Sequence, residues 1–218
     1  MFSYVIARRG VSVGKMYLAV SLLLLAINIV ISLQSGGKSA VMSLSLAMLG
    51  FIGLTGAAPV MLLYVYDRNN GTLEYLLSLG MNQLDIFRGY LAASLVIGCV
   101  LQVIGSIVIL GVGVSLGALS ISTLVSLVLS TVMALSAICL AAIFMMSYDA
   151  LQKQPFGGNQ PLGLGVGGLL LVVFMFIPLI FPEFVVMTQL AVEVFVFAIS
   201  MLFVYLSPRF IKREKMLP

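Results

Sequence analysis

Long stretches without charge alternate with short charged stretches along this chain. Each of six apolar runs is long enough to approach the roughly 20 residues that a helix needs to cross a bilayer. Only the last run contains an ionisable acid, Glu193. The pattern therefore predicts six membrane-spanning helices, at Met16–Leu33, Ala40–Tyr66, Gly89–Val112, Ile121–Met146, Gly163–Ile180 and Phe184–Leu206.

Composition supports the same class of protein. The chain of 218 residues is 62% hydrophobic and 8% charged, and its mean hydropathy is +1.23. Soluble domains carry about three times that share of charge. We therefore predict an all-α integral membrane protein with a single transmembrane domain over residues 1–218, multi-pass in the plasma membrane. The first run is too long for a removable signal peptide, so it is predicted to be a permanent helix.

Basic residues predict the orientation, because short loops rich in Lys and Arg stay in the cytoplasm. With both termini cytoplasmic, ten of the eleven basic residues lie inside and only Lys38 lies outside. The inner ten are Arg8, Arg9, Lys15, Arg68, Arg88, Lys153, Arg209, Lys212, Arg213 and Lys215. Residues 1–15 are predicted to lie along the inner interface or to fray, and residues 207–218 form a basic cytoplasmic tail. Anionic membrane lipid accounts for the net charge of +4, so no nucleic-acid partner is predicted.

The residue inventory argues against metal and cofactor chemistry in this chain. There is no His, and the two Cys, Cys99 and Cys139, fall inside apolar runs, where they are expected to pack as small apolar residues. Gly36–Ser39 imitates the end of a phosphate-binding loop, but position 32 is Ser where that motif needs Gly. No metal site and no cofactor site is therefore predicted.

Glycines and prolines inside the runs predict close packing and bends. Glycines let helices approach each other in lipid, and they recur at Gly50, Gly53, Gly56, Gly98, Gly105, Gly163, Gly165, Gly167 and Gly168. Pro59 should bend the second helix, and Pro178 and Pro182 should interrupt the chain near the outer surface. Residues Leu179–Gln189 then form either a re-entrant hairpin or, with a tight turn at Phe181–Glu183, plain helix ends.

Five of the eighteen charged residues lie together between Asp67 and Arg88, in the loop that joins the second and third predicted helices. Leucines at helical spacing there predict a short amphipathic helix, about Thr72–Leu79. Gly71 and Gly80 lie where the chain must turn at its two ends. Asn82, with Asp85 three residues later, predicts the start of the next helix.

This short helix has two possible roles. It can simply bury its leucines, Leu73, Leu76 and Leu77, in the headgroup layer. Alternatively, it can be a coupling helix, on which a soluble motor domain pushes. In that case Arg68 and Glu74 would offer charges at the exposed edge of the helix, while the leucines anchor it.

The segment resembles the signature of ABC type-2 exporter permeases. The resemblance rests on Arg68, Gly71, Thr72, Leu73, Glu74, Leu76, Leu77 and Ser78, followed by Asp85, Ile86 and Gly89. It covers about twenty residues, whereas the six-helix architecture covers the whole chain. The chain departs from the family at Gly80, where Pro is frequent, and at Tyr90, where Lys is frequent.

The resemblance implies a membrane subunit that works in export, as a dimer with a second copy or a paralogue. The apolar walls suggest that the substrate is amphipathic or lipophilic. The coupling segment, residues 67–88, would dock on a cytoplasmic ATPase homodimer. Gly80 and Arg88 belong to this predicted docking segment. This chain carries no nucleotide-binding motif and is not predicted to be an enzyme, so ATP and Mg²⁺ would bind the partner ATPase.

Four polar residues inside the apolar runs are candidates for translocation. Glu193 is the strongest, because ionisable groups in a membrane are costly and usually functional, and Gln189 lies one helical turn before it. Gln102 and Asn28 either take part or merely cross-link helices. The rival hypotheses are an ion- or proton-coupled secondary carrier that uses Glu193 and a membrane scaffold without transport activity.

Overall fold

The computed structural model describes residues 14–34, 39–117, 120–147, 162–181 and 184–210. Within these ranges every regular element is a helix, which confirms the predicted all-α class. The seven helices are α1 (Gly14–Gln34), α2 (Ser39–Asn69), α3 (Thr72–Ser78), α4 (Gln83–Ser115), α5 (Ile121–Ser147), α6 (Leu162–Ile180) and α7 (Val185–Phe210).

Each of the six apolar runs coincides with one long helix. Five of these helices, α1, α2, α4, α5 and α7, have described portions that are long and apolar enough to cross a membrane. The described apolar stretch of α6, Leu164–Ile177, is shorter. The chain is thus a multi-pass membrane protein.

Side-chain contacts between the long helices give their relative directions. Along α1 and α2, Ser21 contacts Thr55 whereas Asn28 contacts Ser45, so these two helices are antiparallel. The same reasoning makes α2 antiparallel to α4, α4 to α5, and α5 to α6. In contrast, α5 and α7 run in the same direction. Successive long helices therefore alternate, and the start of α1, the end of α7 and the whole of α3 lie at one end of the bundle.

Helices α2 and α5 form the centre of the bundle, and several predicted glycines form their contacts. A Cβ added at Gly98 of α4 would lie 2.8 Å from the carbonyl oxygen of Gly53 on α2. Gly56 and Gly105 likewise lie against leucines of a neighbouring helix. Gly165 and Gly168, however, have open space where a Cβ would be, so the expectation that they mark a packing face is wrong.

Two of the three singled-out prolines, Pro59 and Pro178, lie within continuous helices. Helix α2 continues through Pro59 to Asn69, and Pro178 lies inside α6, which ends only at Ile180. Because α7 begins at Val185, the re-entrant hairpin over Leu179–Gln189 is wrong. Leu179 and Ile180 instead end α6, and Val185–Gln189 begin α7, as the alternative of plain helix ends expects, while residues 182 and 183 of the predicted turn lie outside the described residues.

Some predictions fall outside the described residues. They concern residues 1–13 of the interfacial segment, residues 211–218 of the basic tail, Lys38, Pro182 and the loop that carries Lys153.

Candidate functional site

The segment between α2 and α4 forms a short helix bounded by two left-handed glycines. Helix α3 covers Thr72–Ser78, one residue shorter than predicted. Gly71, before it, has φ +70°, and Gly80, after it, has φ +82°. A side chain disfavours this backbone region, so glycine at these two positions allows both turns.

The next helix begins with the predicted cap. The side-chain oxygen of Asn82 accepts a hydrogen bond from the backbone N–H of Leu84 at 3.1 Å, which satisfies one of the free donors at the start of α4. The backbone N–H of Asp85 donates to the carbonyl of Asn82 at 3.0 Å. The segment therefore enters α4 in a defined geometry.

Helix α3 has one face in the protein core and one face outside it. Leu73, Leu76 and Leu77 are buried and belong to the large apolar cluster that the long helices form. On the other face Glu74 is exposed, and Tyr75 and Leu79 remain 62% and 61% exposed. The leucines thus pack into the bundle rather than only into a headgroup layer.

The charged residues of the segment divide into two groups. Glu74, Asp85 and Arg88 are exposed, as a docking surface requires. Arg68 is only 9% exposed, which corrects the expectation that it offers its charge at the exposed edge of the helix. It lies in the last turn of α2.

At the end of the bundle that holds α3, a polar contact that the sequence analysis missed joins α2 to α4. The hydroxyl of Tyr90 donates a hydrogen bond to Oδ2 of Asp67 at 2.5 Å, and both residues are buried. The ring of Tyr64 meets that of Tyr90 edge to face, with centroids 5.2 Å apart. Asp67 lies three residues after Tyr64, on the same helical face. This spacing was the pattern in the sequence that could have indicated a polar contact here. We call residues 67–90 the α3 junction.

A second polar region lies within the bundle, where three of the four predicted translocation residues meet α5. Ser126 donates to the side-chain oxygen of Gln189 at 3.0 Å, and Ser136 donates to Oε1 of Glu193 at 3.3 Å. Gln102 donates to the carbonyl of Ser130 at 3.2 Å. We call this set the polar row; it consists of Gln102, Ser126, Ser130, Ser136, Gln189 and Glu193.

Asn28 does not belong to the polar row. It donates to the carbonyl of Ser45 at 2.7 Å and cross-links α1 to α2, which was one of its two predicted roles. The three serines of α5 were not predicted as site residues. Ser126 and Ser130 are four residues apart, on one helical face, and this spacing was the signal for them.

Glu193 is buried inside the protein. Its side chain is 4% exposed, and it lies eight residues into α7, roughly 12 Å along the helix axis. Its Oε2 atom and the side-chain nitrogen of Gln189 have no hydrogen-bond partner among the described residues. The polar row therefore has hydrogen-bonding capacity that the described protein does not use.

Across the described ranges, no three His, Cys, Asp or Glu side chains converge as metal ligands would. Comparisons with models of protein families, with curated proteins and with solved structures found no match to this chain. Functional inference therefore depends on the α3 junction and the polar row.

Proposed function

We propose that this chain is the transmembrane permease subunit of an ATP-driven ABC type-2 exporter, with α3 as the helix that docks on a separate cytoplasmic ATPase. The observation that carries the proposal is that α3 has one buried face and one exposed face. Its leucines are anchored in the bundle core, while Tyr75 and Leu79, outside the candidate spans, expose apolar surface beside the charge of Glu74. Exposed apolar groups next to charges are typical of protein interfaces.

The α3 junction suits the transmission of force. Because the Asp67–Tyr90 hydrogen bond joins α2 to α4 at the end of the bundle that holds α3, a push on α3 would move the ends of both long helices together. In this proposal the motion opens a path through a dimer of this chain, or of this chain and a paralogue. ATP and Mg²⁺ bind the ATPase homodimer, and the substrate is amphipathic or lipophilic.

The proposed topology has six crossings, with both termini and α3 in the cytoplasm. The alternating helix directions support it, because they bring the start of α1 and the end of α7 to the end that holds α3. The distribution of Lys and Arg supports it as well.

Cysteine labelling tests the topology. In a variant with Cys99 and Cys139 replaced by Ala, Ser78→Cys should react with a membrane-impermeant maleimide only after the cell membrane is opened. Ser120→Cys, exposed at the opposite end of the bundle, should react in intact cells. The reverse pattern would put α3 outside the cell and refute an ATPase dock.

Co-purification tests the docking. Purification of the full-length chain in mild detergent should bring an ATP-binding protein with it, and Tyr75→Ala or Glu74→Ala should reduce the amount bound about tenfold. Tyr205→Ala is the matched control, since Tyr205 is an exposed tyrosine that lies within a candidate span of α7 and not on α3. Equal binding by all variants would exclude α3 as the dock.

The buried Glu193 favours one second candidate function, an ion- or proton-coupled secondary carrier. A carrier needs no ATPase, and its flux collapses with the ion gradient. If reconstituted chain alone transports in response to a gradient, and Glu193→Gln abolishes this flux, the carrier replaces the exporter as the function.

A further inference from the structure

The turn that leads from α2 into α3 consists of an Asn-Gly pair. Asn70 follows the last residue of α2, is exposed and lies outside the candidate membrane spans, so water reaches it. Gly71 has φ +70°. Its carbonyl oxygen accepts the backbone N–H of Tyr75 at 3.0 Å, so α3 begins directly from this pair.

The side chain of Asn70 and the backbone of Gly71 can react with each other. Asparagine is a chemically labile residue, because the backbone nitrogen of the next residue can attack its side-chain carbonyl carbon and close a ring. Glycine offers the most accessible nitrogen for this attack, since it has no side chain. Asn69 is exposed as well, but the side chain of Asn70 crowds the nitrogen that follows it. Asn82 is held by its hydrogen bond with the N–H of Leu84.

A carboxyl group lies beside the Asn-Gly pair. A Cβ built on Gly71 would lie 4.0 Å from Oε2 of Glu74, and a carboxylate in such a position can take up a proton as a general base. The N–H of Gly71 donates to the carbonyl of Arg68 at 3.1 Å. This bond lies at the end of α2, and bonds at helix ends open readily, which frees the nitrogen for attack.

We propose that Asn70 and Gly71 form a self-modifying site, at which Asn70 converts to aspartate or isoaspartate with Glu74 as the base. The nitrogen of Gly71 bonds to Cγ of Asn70, Glu74 takes up the proton of that nitrogen, and the bond from Cγ to Nδ2 breaks. Nδ2 leaves as ammonia and carries this proton away. The product is a succinimide ring.

Water is the co-reactant that opens the ring. If it breaks the new bond between the nitrogen and Cγ, residue 70 becomes aspartate. If it breaks the original peptide bond, residue 70 becomes isoaspartate, and the main chain then runs through Cγ. In total a water molecule is consumed and ammonia is released, and no oxidant or reductant is needed.

Both products change the start of α3. Each adds a negative charge four residues before Glu74, and isoaspartate also lengthens the main chain by a carbon atom where α3 begins. Under the function proposed above, this change weakens ATPase docking and so limits the time for which a copy of the chain stays coupled. The chemical conversion does not depend on that function and can be measured separately.

Mass spectrometry of the purified full-length chain tests the conversion. The chain is incubated in detergent at neutral pH in water labelled with heavy oxygen, and is then digested in ordinary water. Trypsin cleaves at the flanking arginines and releases peptide 69–88, in which Asn69 and Asn82 are internal controls. Asn70 should become an acid that carries the label, while both controls stay amides. Conversion of Asn69 at the same rate as Asn70 would overturn the proposal.

Two variants test the role of Glu74. Glu74→Gln keeps the shape of the side chain but removes the base, and should slow the conversion about tenfold, below the usual range for a positioned base because Glu74 is exposed. Asp85→Ala is the matched control. Asp85 is also an exposed acid of the α3 junction, but it does not come within 4 Å of a Cβ built on Gly71, so the rate should not change. Equal rates in all three proteins would refute Glu74 as the base.

The effect on docking is measured with the ATPase that co-purifies with fresh chain. Converted chain should bind severalfold less of it, because a like charge is added at the interface, whereas Asn70→Gln incubated for the same time should bind as fresh chain does. Equal binding by converted and fresh chain would overturn the proposed effect on docking. A chain that converts at Asn70 but binds no ATPase even when fresh would support the site and reject the exporter.

Discussion

The α3 junction and the polar row each contain a buried acid in a mostly apolar chain, but the two acids differ in their hydrogen bonds. At the α3 junction the carboxylate of Asp67 accepts the Tyr90 hydroxyl, between helices that are also packed together by aromatic and leucine side chains. In the polar row Glu193 has one weak contact, with Ser136, and one oxygen without a partner among the described residues.

This difference suggests how one helical bundle can hold two helices together in one region and keep unused hydrogen-bonding atoms in another. A buried acid that accepts a hydrogen bond from a neighbouring helix favours one arrangement of the two helices, whereas a buried acid with an unused oxygen is costly until a further donor completes it. The α3 junction accordingly suits transmission between helices, and the polar row suits a substrate.

The largest expected effect comes from the contact between α2 and α4 at Gly53 and Gly98, beside Gln102 of the polar row. Gly98→Ala would put a Cβ 2.8 Å from the Gly53 carbonyl oxygen and 2.6 Å from Ile138, so the helices must separate. We expect a loss of about 3 kcal/mol, at the upper end for overpacking, seen as a lower thermal unfolding midpoint in detergent. Gly111→Ala, on the same helix with open space around it, should not lower the midpoint.

The comparison itself is tested by replacing each acid with leucine. Asp67→Leu leaves the Tyr90 hydroxyl without this acceptor and should cost about 1–3 kcal/mol. Glu193→Leu removes an incompletely paired buried acid and should be neutral within about 1 kcal/mol, or stabilising. Thermal unfolding of both variants measures these two changes in stability. Equal losses would mean that both acids have the same structural role, and the contrast between the two regions would then be wrong.

A smaller effect is expected at the turn after α3. Gly80 has φ +82°, and no atom lies within 4 Å of the position that a Cβ would take there. Gly80→Ala therefore meets only the backbone cost, about 1 kcal/mol. Hydrogen exchange should show faster opening of α3, with the cores of α5 and α7 unchanged. Unchanged protection in α3 would show that the left-handed turn does not hold the helix.

The smallest effect on stability is expected at the exposed face of α3. Tyr75→Ala should change the unfolding free energy by less than about 0.5 kcal/mol, as surface substitutions usually do, although it should weaken ATPase binding. A large loss of stability would show that Tyr75 supports the fold of this chain, and the docking experiment would then need Glu74→Ala alone.

The sequence by itself determined the all-helical class, the positions of the long helices and the short helix between α2 and α4. These features depend on local chemistry: apolar runs long enough for a bilayer, and glycines where the backbone must turn. Glu193 and Gln189 also stood out, because polar residues are rare in such runs.

Only the tertiary structure decided which faces of the helices are buried. A membrane helix is apolar on all sides, since lipid and protein interior are both apolar, so periodicity does not distinguish the two. For this reason the burial of Arg68, the Asp67–Tyr90 contact and the meeting of three polar residues on α5 depend on how the helices pack.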